Sequence, residues 1–189
     1  MSDESNDAGR LAEGLLAYAR RHPGQADVAG DFAALLEEGD RAFLRDRLDG
    51  HFTASAWLVD RTQQRVLLTH HRKLGIWVQL GGHADGDLDL RRVALREAEE
   101  ESGLTGLVVD PEIFDLDRHW IPERKDVGGH WHYDVRYVVR AGANEAFVVS
   151  DESHALAWRG IDAIAADAAA DASLRRMAQR WLARAGRPE

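Results

Sequence analysis

The sequence contains no cysteine. Without thiols the chain cannot form disulfides, zinc–thiolate sites or iron–sulfur clusters, so any metal ion must be bound by oxygen or imidazole. The sequence also lacks an apolar run approaching the roughly 20 residues that a membrane-spanning helix needs, and residues 1–7 lack the basic and apolar regions of a signal peptide. We therefore expect a cytoplasmic protein that has no membrane partner.

Positive charge is scarce. The chain has 24 Lys and Arg against 33 Asp and Glu, a formal net charge of −9. Binding along a nucleic-acid backbone requires a basic face, so this balance argues against bulk nucleic acid as a partner. A small polyanion can still bind where divalent cations and a few local Arg or Lys residues reverse the field.

Length and hydrophobic periodicity predict the organisation of the chain. With 189 residues, 44% of them hydrophobic, the chain is long enough for one compact domain with appendages. Apolar residues recur at helical spacing over 11–20 and 27–48, with Gly39 as an expected break, so residues 1–48 are predicted to form a helical N-terminal extension. Residues 49–189 are predicted to form the main domain, ending in an amphipathic helix that starts near Ser173.

The main domain is predicted to contain both strands and helices. The expected helices besides the last are 89–102, closed by Gly103, and part of 161–172. Short segments rich in apolar, aromatic and β-branched residues predict strands at 51–59, 65–70, 76–80, 107–109, 113–121 and 130–140. The central unit is a strand, the double glycine Gly81-Gly82 and an acidic helix.

Three carboxylates fall on one face of this acidic helix. Glu97, Glu100 and Glu101 stand at i, i+3 and i+4. Converging carboxylates are what a hard cation such as Mg²⁺ requires, because it prefers oxygen ligands. A solvated acidic face has the same pattern, and spacing alone favours that second interpretation.

The wider context resembles a known motif. Residues 82–104 read GHADGDLDLRRVALREAEEESGL, which is similar to the Nudix box, G-x5-E-x7-R-E-U-x-E-E-x-G-U with U apolar. Every defined position matches except one, where Leu88 stands in place of the box Glu. The resemblance implies an α/β fold, a Nudix-type α/β/α sandwich with a mixed sheet.

The resemblance also implies a function. It predicts a pyrophosphohydrolase that uses Mg²⁺, with Mn²⁺ as a substitute, to cleave a nucleoside diphosphate linked to another moiety or a nucleoside triphosphate. Glu97, Glu100 and Glu101 would bind the metal together with the backbone carbonyl of Gly82, and Arg96 would brace the carboxylates. One of the three Glu side chains would help to orient or deprotonate the attacking water, whereas Glu99 should point away.

Two alternatives follow from departures from this pattern. Leu88 favours a non-catalytic nucleotide-binding sensor with the same fold, unless Asp87 or Asp89 compensates for the missing carboxylate. Retention of the three box Glu residues argues against that sensor. An isoprenoid diphosphate isomerase of the same superfamily typically uses a catalytic Cys, which this chain lacks.

Further candidates lie outside the conserved part of the box. Arg72 and Lys73 could contact substrate phosphates, with a solvated hairpin end as the alternative. His83 could contact phosphate or metal-bound water, or could simply be a polar turn residue. Many members of the family add an acid beyond the box, and Glu152 is our candidate here, with a hydrated acidic turn as the alternative.

Alternation along 130–140 places His130, His132, Asp134 and Arg136 on one strand face. We interpret this face as lining the substrate cleft, with a surface strand as the alternative. Two His at i, i+2 can bind a metal, but the sequence identifies no third ligand. Residues 1–48 could serve to form a homodimer or to cap the cleft.

Overall fold

The computed structural model describes residues 4–71, 75–123, 127–148 and 153–185. Helix α1 spans Glu4–Arg21 and helix α2 spans Ala26–Leu36, with short 3₁₀ helices at Pro23–Gln25 and Asp40–Phe43. Strands β1 to β4 span Gly50–Val59, Arg65–His71, Trp77–Val78 and Leu80–His83, and helix α3 spans Leu90–Ser102. Strands β5 to β7 span Val108–Ile121, His130–Arg140 and Ser153–Gly160, followed by helices α4, Ile161–Ala166, and α5, Ala172–Ala185.

Among the described residues, seven strands form one sheet. Its order is β3-β2-β1-β6-β5, with β4 also paired to β1 and β7 also paired to β2. The central strand β1 is buried along its whole length, as expected for a strand rich in apolar residues. The α/β class and the helical N-terminal segment predicted from the sequence are confirmed.

The chain forms two compact units, and their boundaries fall inside several strands and inside α3. The first unit comprises the described residues within 1–55, 81–94 and 111–137. Its core contains the aromatic rings of Phe32, Phe43, Phe52 and Tyr133, whose neighbouring centroids lie 4.8 to 6.4 Å apart. Such tilted and edge-on ring pairs add to the free energy gained from burying the rings.

Helix α1 packs within the first unit through its apolar face. Leu11, Leu15 and Tyr18 are buried, as the helical spacing predicts. Polar contacts hold the same helix against β5, because Arg21 Nη2 donates to the carbonyl of Ile113 at 3.1 Å and the Tyr18 hydroxyl donates to Asp115 at 3.5 Å.

The second unit comprises the described residues within 56–80, 95–110 and 138–189. Strands β2 and β7 pair antiparallel from Arg65↔Gly160 to Thr69↔Leu156. The indole of Trp181 on α5 donates to the carbonyl of Gln63 at 3.0 Å. The core of this unit consists of apolar side chains from its strands and from the end of α3: Ala56, Leu58, Leu67, Leu80, Ala98, Leu104, Leu107, Val139, Ala141 and Leu156.

Two element predictions were wrong. The predicted break at Gly39 is present, with a φ of 78°, but the α-helix expected to resume after it does not form: α2 ends at Leu36 and only the 3₁₀ turn Asp40–Phe43 follows. Strand β5 runs unbroken over 108–121, although a gap was predicted around Pro111. Because β5 is an edge strand, a proline that cannot donate a hydrogen bond is tolerated there.

Candidate functional site

Helix α3 carries the acidic motif, and its two ends are defined by local interactions. The Asp89 carboxylate accepts hydrogen bonds from the N–H groups of Arg91 and Arg92, each at 3.1 Å, which makes Asp89 the N-cap. At the other end Gly103 has a φ of 68° and donates its N–H to the Glu99 carbonyl at 2.8 Å. The predicted glycine after the helix is therefore present in the left-handed conformation that glycine favours.

The three motif carboxylates lie on this one continuous helix. Glu100 is exposed, and Glu97 and Glu101 are half-buried. Arg96 Nη2 donates to Glu97 Oε1 at 3.0 Å, so the motif arginine orients a motif carboxylate. Arg96 is predicted to brace the carboxylates; this contact is compatible with that role, which stays a prediction.

The residues around Leu88 show why a leucine is accommodated at the box Glu position. Leu88 itself is only 9% exposed, and it lies at the edge of a cleft of about 360 Å³ beside Leu11, Leu90 and Tyr137. Asp87 is engaged by the guanidinium of Arg92, with 2.9 Å between Arg92 Nε and Asp87 Oδ2. Asp89 caps the helix, so the carboxylates on both sides of Leu88, Asp87 and Asp89, form hydrogen bonds with residues in the first turn of α3.

The first glycine of the double glycine is required by close packing. A Cβ added to Gly81 would lie 2.6 Å from the Ala54 carbonyl oxygen and 2.8 Å from Ser55 Cα. Both distances are shorter than real Cβ atoms show, so β4 can approach β1 only with glycine at this position. Gly82 follows in the same strand, with its carbonyl as a predicted metal ligand.

Histidines from several strands form a cluster in the first unit. One ring nitrogen each from His51, His83 and His132 lies within 4.8 Å of the other two. His130 adjoins them, with 3.1 Å between its Nε2 and Nε2 of His132. His83, His130 and His132 were predicted to be site residues, whereas His51 was not. No third metal ligand was predicted for His130 and His132 on β6.

Burial favours the neutral form of His51, His83 and His132. Desolvation, together with the charge of Arg45 and the neighbouring His51, lowers the pKa of His83 to about 4. Desolvation and the surrounding histidines lower the pKa of His132 to about 2, and burial also lowers the pKa of His51. Neutral imidazoles retain a lone pair that can bind a metal or accept a proton.

The rest of the polar face of β6 forms a buried ionic network. The Arg136 guanidinium lies 2.8 Å from Asp134, 3.2 Å from Asp115 and 3.2 Å from Asp117. The hydroxyl of Ser55 donates to Asp134 at 2.8 Å. Burial acts against the charged form of Arg136, but the carboxylates of Asp134, Asp117 and Asp115 outweigh it and raise its pKa.

This network bears on the predicted role of the β6 face. Asp134 and Arg136 are buried at 2% exposure each, so neither is on a surface strand. Contact with substrate stays a prediction for His83, His130 and His132. Arg72, Lys73 and Glu152 lie outside the described residues, and their predicted roles stay predictions as well.

Comparisons with known proteins identify the class of the chain. The NUDIX domain model matches residues 50–181. No curated protein sequence matches the chain at a significant level. The chain belongs to the Nudix family and is a hydrolase that acts on phosphorus-containing acid anhydrides. Such enzymes generally use divalent metal ions and act on small nucleotide-derived substrates.

Solved structures share its fold. A MutT protein from Methanosarcina mazei Go1 is 18% identical with a TM-score of 0.57, covering 75% of this chain and 99% of that one. An Ap4A hydrolase from C. elegans is 15% identical with a TM-score of 0.54, covering 71% and 96%. A UDP-X diphosphatase is 14% identical with a TM-score of 0.52, covering 97% and 96%. At these identities the similarity establishes the Nudix fold alone.

No helix among the described residues combines the length and the apolar character needed to cross a membrane.

Proposed function

We propose that the protein is a Mg²⁺-dependent pyrophosphohydrolase that cleaves a nucleotide-like diphosphate, with Mn²⁺ as a substitute metal. The observation that carries this proposal is the carboxylate set Glu97, Glu100 and Glu101 on α3. The cytoplasm stays our expectation for its location.

The residues present fit a hard divalent cation. Carboxylates are the oxygen donors that Mg²⁺ prefers, and exposure of Glu100 leaves room for the water that this ion retains. In our proposal Glu97, Glu100, Glu101 and the Gly82 carbonyl hold the ion. When bound, Mg²⁺ would neutralise charge on the diphosphate oxygens and lower the pKa of a bound water.

The side chains of α3 then have distinct tasks. One of the three carboxylates accepts a proton from the attacking water, whose oxygen bonds to phosphorus as the anhydride P–O bond breaks. The two products each end in a phosphate group. Arg96 holds Glu97 in one orientation by the hydrogen bond at 3.0 Å, which reduces the reorganisation needed when charge develops.

The substrate class is a nucleoside diphosphate linked to another moiety, or a nucleoside triphosphate. The names of similar structures refer to Ap4A, dihydroneopterin triphosphate and UDP-X, each a property of that protein. The formal charge of −9 supports a small substrate over bulk nucleic acid. Arg72 and Lys73 stay our candidates for phosphate contacts, and Glu152 stays our candidate for an additional catalytic acid.

The test is a substrate panel. Phosphate and nucleoside monophosphate release would be measured for nucleoside triphosphates, sugar nucleotides, dinucleotides and ADP-ribose, with Mg²⁺, with Mn²⁺ and with chelator. We expect metal-dependent cleavage of one class. Cleavage that persists in chelator would contradict the metal assignment.

A sensor without turnover is the second candidate, because Leu88 replaces the box Glu and is buried. Binding of a nucleotide with no product across the panel would favour it. Orientation of Glu97 by Arg96 supports the enzyme instead.

A homodimer stays a further proposal. Leu16 on α1 is 60% exposed, whereas Leu15 and Tyr18 on the same helix are buried. Light scattering of the full chain would give the molecular mass in solution, and a monomer at assay concentration would exclude the dimer.

A further inference from the structure

The histidine cluster, defined as His51, His83 and His132, is assembled by strand pairing. His51 lies near the start of β1, His83 at the end of β4 and His132 near the start of β6. Strand β1 is hydrogen-bonded to both β4 and β6. We propose that His51, His83 and His132 together bind one divalent transition-metal ion, of which Zn²⁺ is the reference case. This site is chemically separate from the carboxylates of α3 and does not depend on the proposed hydrolysis.

The strongest support is the orientation of His51. Its Nδ1 lies 3.3 Å from the Arg47 carbonyl, which can only accept a hydrogen bond, so Nδ1 carries the proton. Nε2 therefore holds a lone pair, and it is buried without a hydrogen-bond partner among the described residues. Leaving such an atom unsatisfied is unfavourable, and His51 is only 1% exposed. A metal ion bound to Nε2 would give the atom a partner.

The neighbouring His130 is oriented in the same way. Its Nδ1 donates to the Gly128 carbonyl at 2.8 Å, which leaves the lone pair on Nε2. Metal-binding histidines usually donate their second ring N–H to a backbone carbonyl or a carboxylate, which fixes the tautomer and the ring plane. In the 3.1 Å contact between the two Nε2 atoms, Nε2–H of His132 therefore donates to Nε2 of His130, which leaves Nδ1 of His132 as the nitrogen available to the ion.

The donor set selects the metal. Three neutral imidazoles suit Zn²⁺, Ni²⁺ or Cu²⁺, whereas Mg²⁺ prefers oxygen. Nitrogen atoms on a tetrahedral Zn²⁺ lie about 3.3 Å apart, given Zn–N bonds of roughly 2.0–2.1 Å. The three nitrogens already lie within 4.8 Å of one another, so binding requires only a small contraction.

Local charge does not oppose this ion strongly. Arg45 acts electrostatically on both His51 and His83. Its Nε lies 2.5 Å from Asp85 Oδ1 and its Nη2 is paired with the other carboxylate oxygen, so Asp85 offsets part of the positive charge of Arg45. A bound ion would tie the ends of three strands together and stabilise the first unit. This role differs from the contact with phosphate or metal-bound water predicted for His83 and from the cleft-lining position predicted for His132.

The test uses the full chain and metal alone, without substrate. The protein would be stripped with chelator, dialysed into saturating Mg²⁺ to fill the carboxylate site, and titrated with Co²⁺ while visible absorption is recorded. Competition with Zn²⁺ would then give its affinity. We expect the chain to bind one equivalent of Co²⁺ and to show the visible absorption of a four-coordinate nitrogen site. One equivalent of Zn²⁺ should displace this Co²⁺.

Matched variants locate the ion. His132→Gln and His83→Gln should each lower Zn²⁺ affinity more than about tenfold, since even residues behind the ligands contribute roughly 10–100-fold. His22→Gln, on a histidine outside the cluster that packs on Tyr18, should leave affinity unchanged. Because His51 is fully buried, its substitution could disturb folding, so the test uses the half-buried His132 and His83. Circular dichroism would verify that both variants fold.

Three outcomes would overturn the proposal. The first is no four-coordinate Co²⁺ absorption in the wild-type chain. The second is the same Zn²⁺ affinity in folded His132→Gln and His83→Gln. The third is loss of Zn²⁺ binding in Glu100→Gln but not in the histidine variants, which would place the ion on α3.

Discussion

Two groups of charged side chains, one on α3 and one around Arg136 on β6, differ in their exposure to solvent. The three α3 carboxylates are within five residues of one helix, and Glu100 among them is exposed to solvent. Arg136 on β6 is 2% exposed and meets carboxylates from two strands. Solvent screens charges in the first case, whereas partners must compensate for them in the second.

Because of this difference in exposure, substitutions in the two groups should affect catalysis and stability to different extents. A substitution on α3 that keeps volume should alter chemistry and leave the fold intact. A substitution in the buried group should alter folding first. Four substitutions, from the largest expected effect to the smallest, test this contrast.

Glu100→Gln should give the largest change. It removes one carboxylate charge with little change in volume, so we expect turnover with Mg²⁺ to fall more than about a thousandfold, with each tenfold equal to about 1.4 kcal/mol of barrier. The urea midpoint should not move. Glu99→Gln, on another face of the same helix, is the matched control and should retain turnover. Equal turnover in the two variants would contradict the metal assignment.

Arg136→Met should instead lower the stability of the fold. It leaves three carboxylates around an apolar side chain, so we expect the free energy of unfolding to fall by roughly 3–5 kcal/mol, as when one partner of a buried ion pair is removed. Urea denaturation followed by circular dichroism measures this.

The control for this change lies on the same strand. Arg140 pairs with Asp110 at 2.8 Å but is 38% exposed, so Arg140→Met should cost about 1 kcal/mol or less. Similar losses in both variants would show that burial does not distinguish the two ion pairs.

Gly81→Ala tests the close approach of β4 to β1. The added methyl group would overlap the Ala54 carbonyl and Ser55, so we expect a loss of about 1–3 kcal/mol from overpacking. Gly24→Ala is the control, because no atom lies within 4 Å of its added Cβ. Thermal melting compares them, and an unchanged melting temperature for Gly81→Ala would show that β4 shifts freely.

Asp89→Ala should give the smallest effect. It removes the acceptor that caps α3, which typically costs about 1 kcal/mol. Asp89→Asn keeps an equally good cap and should be nearly neutral in the same urea titration. If both variants lose the same stability, the charge of Asp89 matters rather than its hydrogen bonds.

The acidic helix could be predicted because its signals are local. Helical spacing gave the shared face of Glu97, Glu100 and Glu101, and Gly103 marked the end of the helix. The adjacent Arg96 and Glu97 likewise form their contact within one turn. By contrast, the metal-binding role of the carboxylates came from the family resemblance and stays a proposal.

The histidine cluster could not be predicted in full. His130 and His132 are two residues apart, so alternation revealed them together. His51 and His83 join them only through the pairing of β1 with β6 and of β4 with β1, which no local pattern specifies. His51 also sits at the start of a strand that is buried throughout, where a polar residue gives no sign of its partners.

Strand β7 and the region after Leu36 show two other limits. The local sequence of 153–160 does not specify a strand partner, and these residues form a strand through pairing with β2. Gly39 was predicted to interrupt the second helical stretch, but helical periodicity also predicted a further helix up to Leu48, where only the 3₁₀ turn Asp40–Phe43 forms.

The apolar residue at the start of α3 has a consequence for the conditions in which the enzyme can work. Leu88 is buried where the family places a charged side chain, and apolar packing, unlike an exposed ion pair, is not screened by dissolved salt. The packing of the N-terminal end of α3 should therefore change little over a wide range of ionic strength. Sulfate and other excluded salts should reinforce it, so salt sensitivity of catalysis would report on substrate and metal binding rather than on displacement of the helix.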